Sequence, residues 1–249
     1  MKPLFCRIGS KTLMADDIIS YFPEHSIYVE AFVGGGGVYF KKQPSPIEVI
    51  NDIDKNLIHA YRVVKRAPID LSLYTKDLNT IPKIKAFLVS NKNTNADKLT
   101  KEIIYTCNGF GSNPISRTKN NVYIKSNPYS KLKDIKEYKK RIKNTIIKNT
   151  DYKEIIKKYD SKETFFYLDP PYENSEKSKI YNNNVLDYEE LAFILKQIKG
   201  KFLLSINSSI NIIKIFKGFK IRTLQLKTNA HKGQILGGKP RVELLISNF

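Results

Sequence analysis

Apolar residues fall in short runs, and polar, Gly or Pro punctuation separates them. Thr164 to Leu168 is an apolar run that stops against Asp169, Pro170 and Pro171, which predicts a strand ending there. Lys201 to Asn207 reads as a second buried strand, and residues 239–248 hold a third near the end of the chain. Upstream, Tyr28 to Phe32 predicts a strand running into four glycines, Gly34 to Gly37, and Val38 to Lys41 is expected to open a helix. Glu48 to Asp54 reads as the next strand, ending in acid. Helical spacing predicts helices over Asn56–Lys65, over Lys98–Thr106 through Leu99, Ile103 and Ile104, and over Leu186–Lys199 through Leu191, Ile194, Leu195 and Ile198. Strands alternating with helices predict an α/β fold with a parallel sheet. The alternation lapses at about Ala67 and resumes near Tyr152. Within that gap, Asn120-Asn121 before Val122-Tyr123-Ile124 reads as the turn and strand of a hairpin.

Two of these junctions carry chemistry. Consecutive glycines let backbone approach a ligand closely, and Asp52 follows Gly34 by eighteen positions, a spacing that suits a βαβ nucleotide site whose acid bonds ribose hydroxyls. The run lacks a G-x-G-x-x-G pattern, so a dinucleotide is not specifically indicated, and a surface loop would show the same glycines. After the run Thr164–Leu168, two prolines fix φ and remove two N–H donors, leaving carbonyls free to accept. An exocyclic NH2 could give one hydrogen to the Asp169 carboxylate and one to the Pro170 carbonyl while its ring stacks on Tyr172. A strand end closed by a Pro-Pro turn is the plain alternative.

Composition narrows the partners. At 249 residues and 41% hydrophobic, the chain can bury one sizeable core plus a smaller module. A formal charge of +19 points to a polyanion, nucleic acid being the natural one. From Arg117 to Lys158, fourteen Lys or Arg face four acids, a net of +10, although lysine is abundant throughout. Cys6 and Cys107 make no disulfide framework, and His25, His59 and His231 have no metal-ligand spacing, so no metal is expected. No apolar run approaches ~18 residues and no basic leader stands before one, so membrane spanning and secretion are not expected and a cytoplasmic setting is.

Asp-Pro-Pro-Tyr at Asp169–Tyr172 resembles the catalytic motif of S-adenosylmethionine-dependent amino-methyltransferases. With the glycine motif first, a basic insert next and Asp-Pro-Pro-Tyr last, the chain resembles the Dam-like DNA adenine-N6 methyltransferases over nearly its whole length. That resemblance implies a Rossmann-like S-adenosylmethionine-dependent methyltransferase fold with an inserted, mostly helical DNA-recognition domain bearing a β-hairpin. It implies catalytic residues 1–57 and 145–249 around a recognition domain of residues 58–144. Catalysis then falls to Asp169, Pro170 and Tyr172, and S-adenosylmethionine to Arg7, Gly9, Lys11, Phe32, Gly34, Gly35, Gly36, Asp52, Ile53, Tyr152 and Asp169. Arg7 stands where many members have Trp, and Ser10 where they have a second glycine. Recognition of double-stranded DNA falls to Phe110, Asn113, Arg117 and Lys119, with Arg117 suited to a guanine edge or to a phosphate. The resemblance suggests GATC as the target and a companion restriction endonuclease as a candidate partner, and gives no indication of an oligomer. An RNA adenine-N6 or DNA cytosine-N4 methyltransferase would share the catalytic motif, and a non-catalytic basic nucleic-acid-binding module would share the charge.

Overall fold

In a parallel sheet both faces are covered by helices, so successive side chains of one strand must serve two different cores. The computed structural model, which describes residues 1–5, 7, 9–66, 77, 78, 80–108, 134–172, 186–225 and 242–249, is built this way. Its sheet has strands β1 (Ile27–Glu30), β2 (Ile47–Asn51), β3 (Ile146–Lys148), β4 (Thr164–Leu168), β5 (Lys201–Asn207), β6 (Lys220–Gln225) and β7 (Val242–Ser247), in the order β3-β2-β1-β4-β5-β7-β6. The first five are parallel, and β7 is antiparallel to both β5 and β6. Phe165 and Tyr167 face one core, Phe166 and Leu168 the other, and β5 and β7 divide their side chains in the same way. This is the Rossmann-like α/β architecture the sequence predicts.

The helices are α1 (Ala15–Ile19), α2 (Lys55–Arg66), α3 (Ile81–Val89), α4 (Asn95–Asn108), α5 (Ile135–Ile142), α6 (Tyr152–Tyr159), α7 (Tyr188–Leu195) and α8 (Ile210–Ile215), with a 3₁₀ turn at Lys11–Leu13. Ile58, Tyr61 and Val64 of α2 and Ile135, Tyr138 and Ile142 of α5 are buried in the same cluster as Tyr28 of β1 and Phe165 of β4. A separate small cluster joins Leu78, Ile84, Phe87, Leu88 and Ile104. A buried ion triad binds α5 to the start of β2: Glu48 accepts from Lys42 at 2.6 Å and from Arg141 at 2.5 and 3.0 Å.

Two predicted helices depart from the sequence reading, and β1 and β2 stop at Glu30 and Asn51, short of the Phe32 and Asp54 expected. Val38 to Lys41 makes only a single helical turn, closed by Phe40 N to Gly36 O and Lys42 N to Val38 O, both 3.0 Å. Pro44 and Pro46 bar its continuation. The helix expected over Leu186–Lys199 spans only Tyr188–Leu195, because Asp187 caps its start and Asp160 captures the N–H groups of Lys199 and Gly200 near 3.0 Å, drawing the chain toward β5. The predicted hairpin at residues 120–124 lies outside the described residues. Among those that are described, no helix is long and apolar enough to cross a membrane, and no three acidic, His or Cys side chains gather as a metal site.

Candidate active site

Strand order reverses between β1 and β4, since β2 and β3 extend the sheet to one side and β5 to the other. Ligands of open α/β sheets bind at such a reversal, beyond the carboxyl ends of the strands. Both sequence motifs arrive there, the glycine run following β1 and Asp169 following β4. A cavity of about 420 Å³ opens at this edge.

Of the residues singled out in the sequence, Arg7, Gly9, Lys11, Phe32, Gly34, Gly35, Asp52, Ile53, Tyr152 and Asp169 line this cavity. Gly34 has φ +49°, and a Cβ there would meet nothing within 4 Å, so its missing side chain leaves room inside the cavity wall. Gly36 does not line the cavity: its φ is +74° and a Cβ would strike the ring of Phe40 at 2.8 Å, so it serves the packing of the loop. Asp52 accepts from the N–H groups of Gly34 and Asp54, each at 2.9 Å, and thereby braces the glycine loop from the end of β2. Burial raises its pKa against those two hydrogen bonds. Arg7 is held to Asp54 at 2.9 Å. The rings of Phe32 and Tyr152, both on the cavity wall, approach to 5.4 Å between centres.

Pro170 and Tyr172 stand outside the cavity. The buried Lys11 donates from Nζ to Asp169 Oδ1, a carboxylate that is partly exposed on the cavity wall. Lys11 is 4.8 Å from the centre of the Tyr172 ring and 3.4 Å from Glu243 Oε1. Its burial works against the ammonium charge, yet Asp169, Tyr167 and Glu243 outweigh it and hold the pKa well above the usual lysine range. Lys11 and Asp169 thus line the cavity together, and the Lys11 ammonium also lies over the ring of Tyr172. The Pro171 carbonyl accepts from Tyr188 OH, which ties α7 to this loop.

Several groups at the site were not picked out from the sequence. Glu30 ends β1 inside the cavity, accepts from Tyr28 OH at 2.6 Å, and has its pKa pushed up to about 8, first by burial. Asn51 donates to the carbonyls of Ala31 and Thr150 at 3.0 Å and accepts from Thr150 N at 3.1 Å; Asn149 donates to Asp52 O at 2.7 Å. These two amides lash three loops of the carboxyl edge together. Glu243 accepts the Tyr172 hydroxyl at 2.8 and 3.1 Å. The recognition candidates Phe110, Asn113, Arg117 and Lys119 lie outside the described residues.

A family model for D12 class N6 adenine-specific DNA methyltransferases matches residues 8–230. Two curated relatives align over the whole chain: a Type II methyltransferase, M.MjaIII, of Methanocaldococcus jannaschii, 27% identical over 99% of its length, and the Type II methyltransferase M1.LlaDCHI of Lactococcus lactis subsp. cremoris, 26% identical over 96%. Among solved structures, an rRNA methylase from Streptococcus thermophilus is 13% identical at a TM-score of 0.38, over 96% of this chain and 97% of that one, a likeness too distant to speak of substrate.

Proposed function

The chain belongs to the D12 class N6 adenine-specific DNA methyltransferase family, and from that premise we propose that it methylates N6 of an adenine rotated out of duplex DNA, with S-adenosylmethionine as donor. The observation that carries this reading is the junction at Lys11: its ion pair with Asp169 lines the cavity of about 420 Å³ while its ammonium lies over the ring of Tyr172, so a donor in the cavity and a base at Tyr172 would both be close to one carboxylate. The protein is a DNA methyltransferase, and its family and fold imply S-adenosylmethionine use.

The cavity residues suit that cofactor. Asp52, with two carboxylate oxygens and lone pairs beyond those its backbone partners occupy, is placed for ribose hydroxyls. Ile53, Phe32 and Tyr152 offer apolar and aromatic surface for an adenine ring, and Arg7, Gly9, Gly34, Gly35 and Lys11 surround the remaining length. When bound, S-adenosylmethionine supplies an electrophilic methyl group.

The chain's own part is to make the amine a nucleophile and hold it still. Adenine's exocyclic nitrogen is conjugated with its ring, and acceptors placed for tetrahedral geometry localise its lone pair. Asp169 and the Pro170 carbonyl supply two such acceptors, and preorganised dipoles of this kind give the largest catalytic contribution in many enzymes. Lys11 keeps Asp169 in place before the base arrives. Tyr172 offers a stacking face that offsets the few kcal/mol of unstacking. Once the nitrogen is methylated it is acidic, and Asp169 is positioned to take its proton.

The small cluster of α3 and α4, together with residues 109–133, is where we place target recognition. Buried residues of α2 and α5 anchor this segment to the catalytic core at both ends. Arg117 and Asn113 are the base readers in this reading, with Phe110 and Lys119 as further DNA contacts. A restriction endonuclease reading the same DNA word is the partner it implies.

Labelled methyl transfer to duplex DNA, single-stranded DNA and RNA tests the substrate. Asp169→Ala is expected to abolish transfer while cofactor and DNA binding stay within about tenfold, since what is lost belongs to the transition state. Near-normal turnover by that variant would overturn the mechanism.

A further inference from the structure

Glu243 is the second residue of β7, and because that strand runs antiparallel to β5 its first residues lie at the carboxyl edge of the sheet, with Glu243 in register with Asn207. There the carboxylate accepts the Tyr172 hydroxyl at both oxygens, 2.8 and 3.1 Å, and Oε1 lies 3.4 Å from Lys11 Nζ. Lys11 in turn pairs with Asp169. One side chain from the end of the chain thus touches the base face and, through Lys11, the catalytic carboxylate. Its burial carries a desolvation cost that an apolar residue would avoid, and the next three residues of β7, Leu244, Leu245 and Ile246, are apolar and buried. An acid buried at this strand position is not explained by packing.

We propose that Glu243 is a positioning residue for methyl transfer. By accepting the Tyr172 hydroxyl it fixes the plane of the ring on which the target base stacks, and by facing Lys11 it sets the place of the ammonium that holds Asp169. This rests on the reading of Tyr172 as the stacking face. Ring tilt matters to the reacting nitrogen more than to affinity, because stacking tolerates rotation whereas alignment with the methyl group does not. Loss of the contact therefore lowers kcat and leaves KM for DNA nearly unchanged.

Steady-state methylation of duplex DNA at saturating cofactor, with cofactor affinity by calorimetry alongside, tests this in Tyr172→Ala, Tyr172→Phe, Glu243→Ala, Glu243→Gln and the double variant Glu243→Ala/Tyr172→Phe. Tyr172→Phe, which removes one hydroxyl and keeps the ring, is expected to lower kcat about tenfold, the worth of one charge-assisted hydrogen bond, with KM for DNA within about twofold. Glu243→Ala should fall at least as far, the double variant no further than Glu243→Ala alone, and Glu243→Gln, which still offers an acceptor, should recover most of the loss. Multiplying effects in the double variant, or wild-type kcat in Tyr172→Phe, would overturn the proposal. Should Glu243→Ala not fold, Tyr172→Phe and Glu243→Gln still decide it. Tyr172→Ala separates the two levels: unimpaired methylation there removes the stacking reading itself, whereas impaired Tyr172→Ala beside normal Tyr172→Phe removes only the role of Glu243.

Discussion

Glu30 occupies the last position of β1 with its carboxyl inside the protein, next to the hydroxyl of Tyr28 and on the wall of the cavity. Burial raises its pKa to about 8, the Tyr28 hydrogen bond opposes this, and the nearby charge of Asp169 adds to it. An unfolded chain releases the same proton near the ordinary value of 4.5, so between about pH 4.5 and pH 8 the folded state binds more protons and stability falls as pH rises. Glu30→Gln removes this titration. Its stability relative to wild type is expected to climb across that window and level off above it, measured by denaturant midpoints at a series of pH values. A constant difference across the window would show that Glu30 ionises as an ordinary glutamate. Nothing in the sequence around Tyr28-Val29-Glu30 distinguishes this acid from an exposed one; only the depth of β1 in the sheet does.

At the scale of elements, strands were legible because buried parallel strands need continuous apolar runs, and β4 and β5 coincide with the spans read from the sequence. Helix ends were less so. The stop after α7 depends on Asp160, a residue distant in sequence whose carboxylate takes the N–H groups of Lys199 and Gly200. The glycine loop and Asp52 were found by spacing, whereas the amides that hold them were not. Asn51 at the end of β2 looks like any turn residue in sequence, yet it bonds Ala31 and Thr150 at once, from loops twenty residues upstream and ninety-nine downstream. Asn51→Ala would leave two carbonyls and one N–H without this partner. The expected cost is on the order of 1–3 kcal/mol of stability, with weaker cofactor binding because Asp52 and Tyr152 are no longer held in one frame. Denaturation and calorimetry check the two separately. Unaltered cofactor affinity in a destabilised variant would mean that the loop carrying Tyr152 does not belong to the binding site.

Across the whole molecule, the charge of +19 acquires direction from the sheet. The reading of the site puts DNA at the carboxyl edge, where Asp169 and Tyr172 stand. Of the basic stretch from Arg117 to Lys158, the described part begins at Asp134 and runs through α5. α5 ends where Arg141 reaches Glu48 near the start of β2 and Thr145 bonds Tyr39, so Lys143 lies at the amino edge, the far side of the sheet from Asp169. Lys139 is on the same helix, one turn earlier. Lys143→Ala is therefore expected to leave DNA affinity and its salt dependence unchanged, since a lysine that meets no phosphate releases no counterion. Arg117→Ala tests the other half of the stretch. If Arg117 reads a guanine edge, its loss should cost ~1–3 kcal/mol on the cognate word and relax preference at one base position; if it meets only phosphate, all sequences should weaken alike and the salt slope should drop by about one. Methylation of a randomised duplex library by both variants, with binding titrated against salt, separates these outcomes. A lowered slope in Lys143→Ala would place DNA on the amino edge as well, and the edge that carries Asp169 and Tyr172 would no longer define the DNA-facing side.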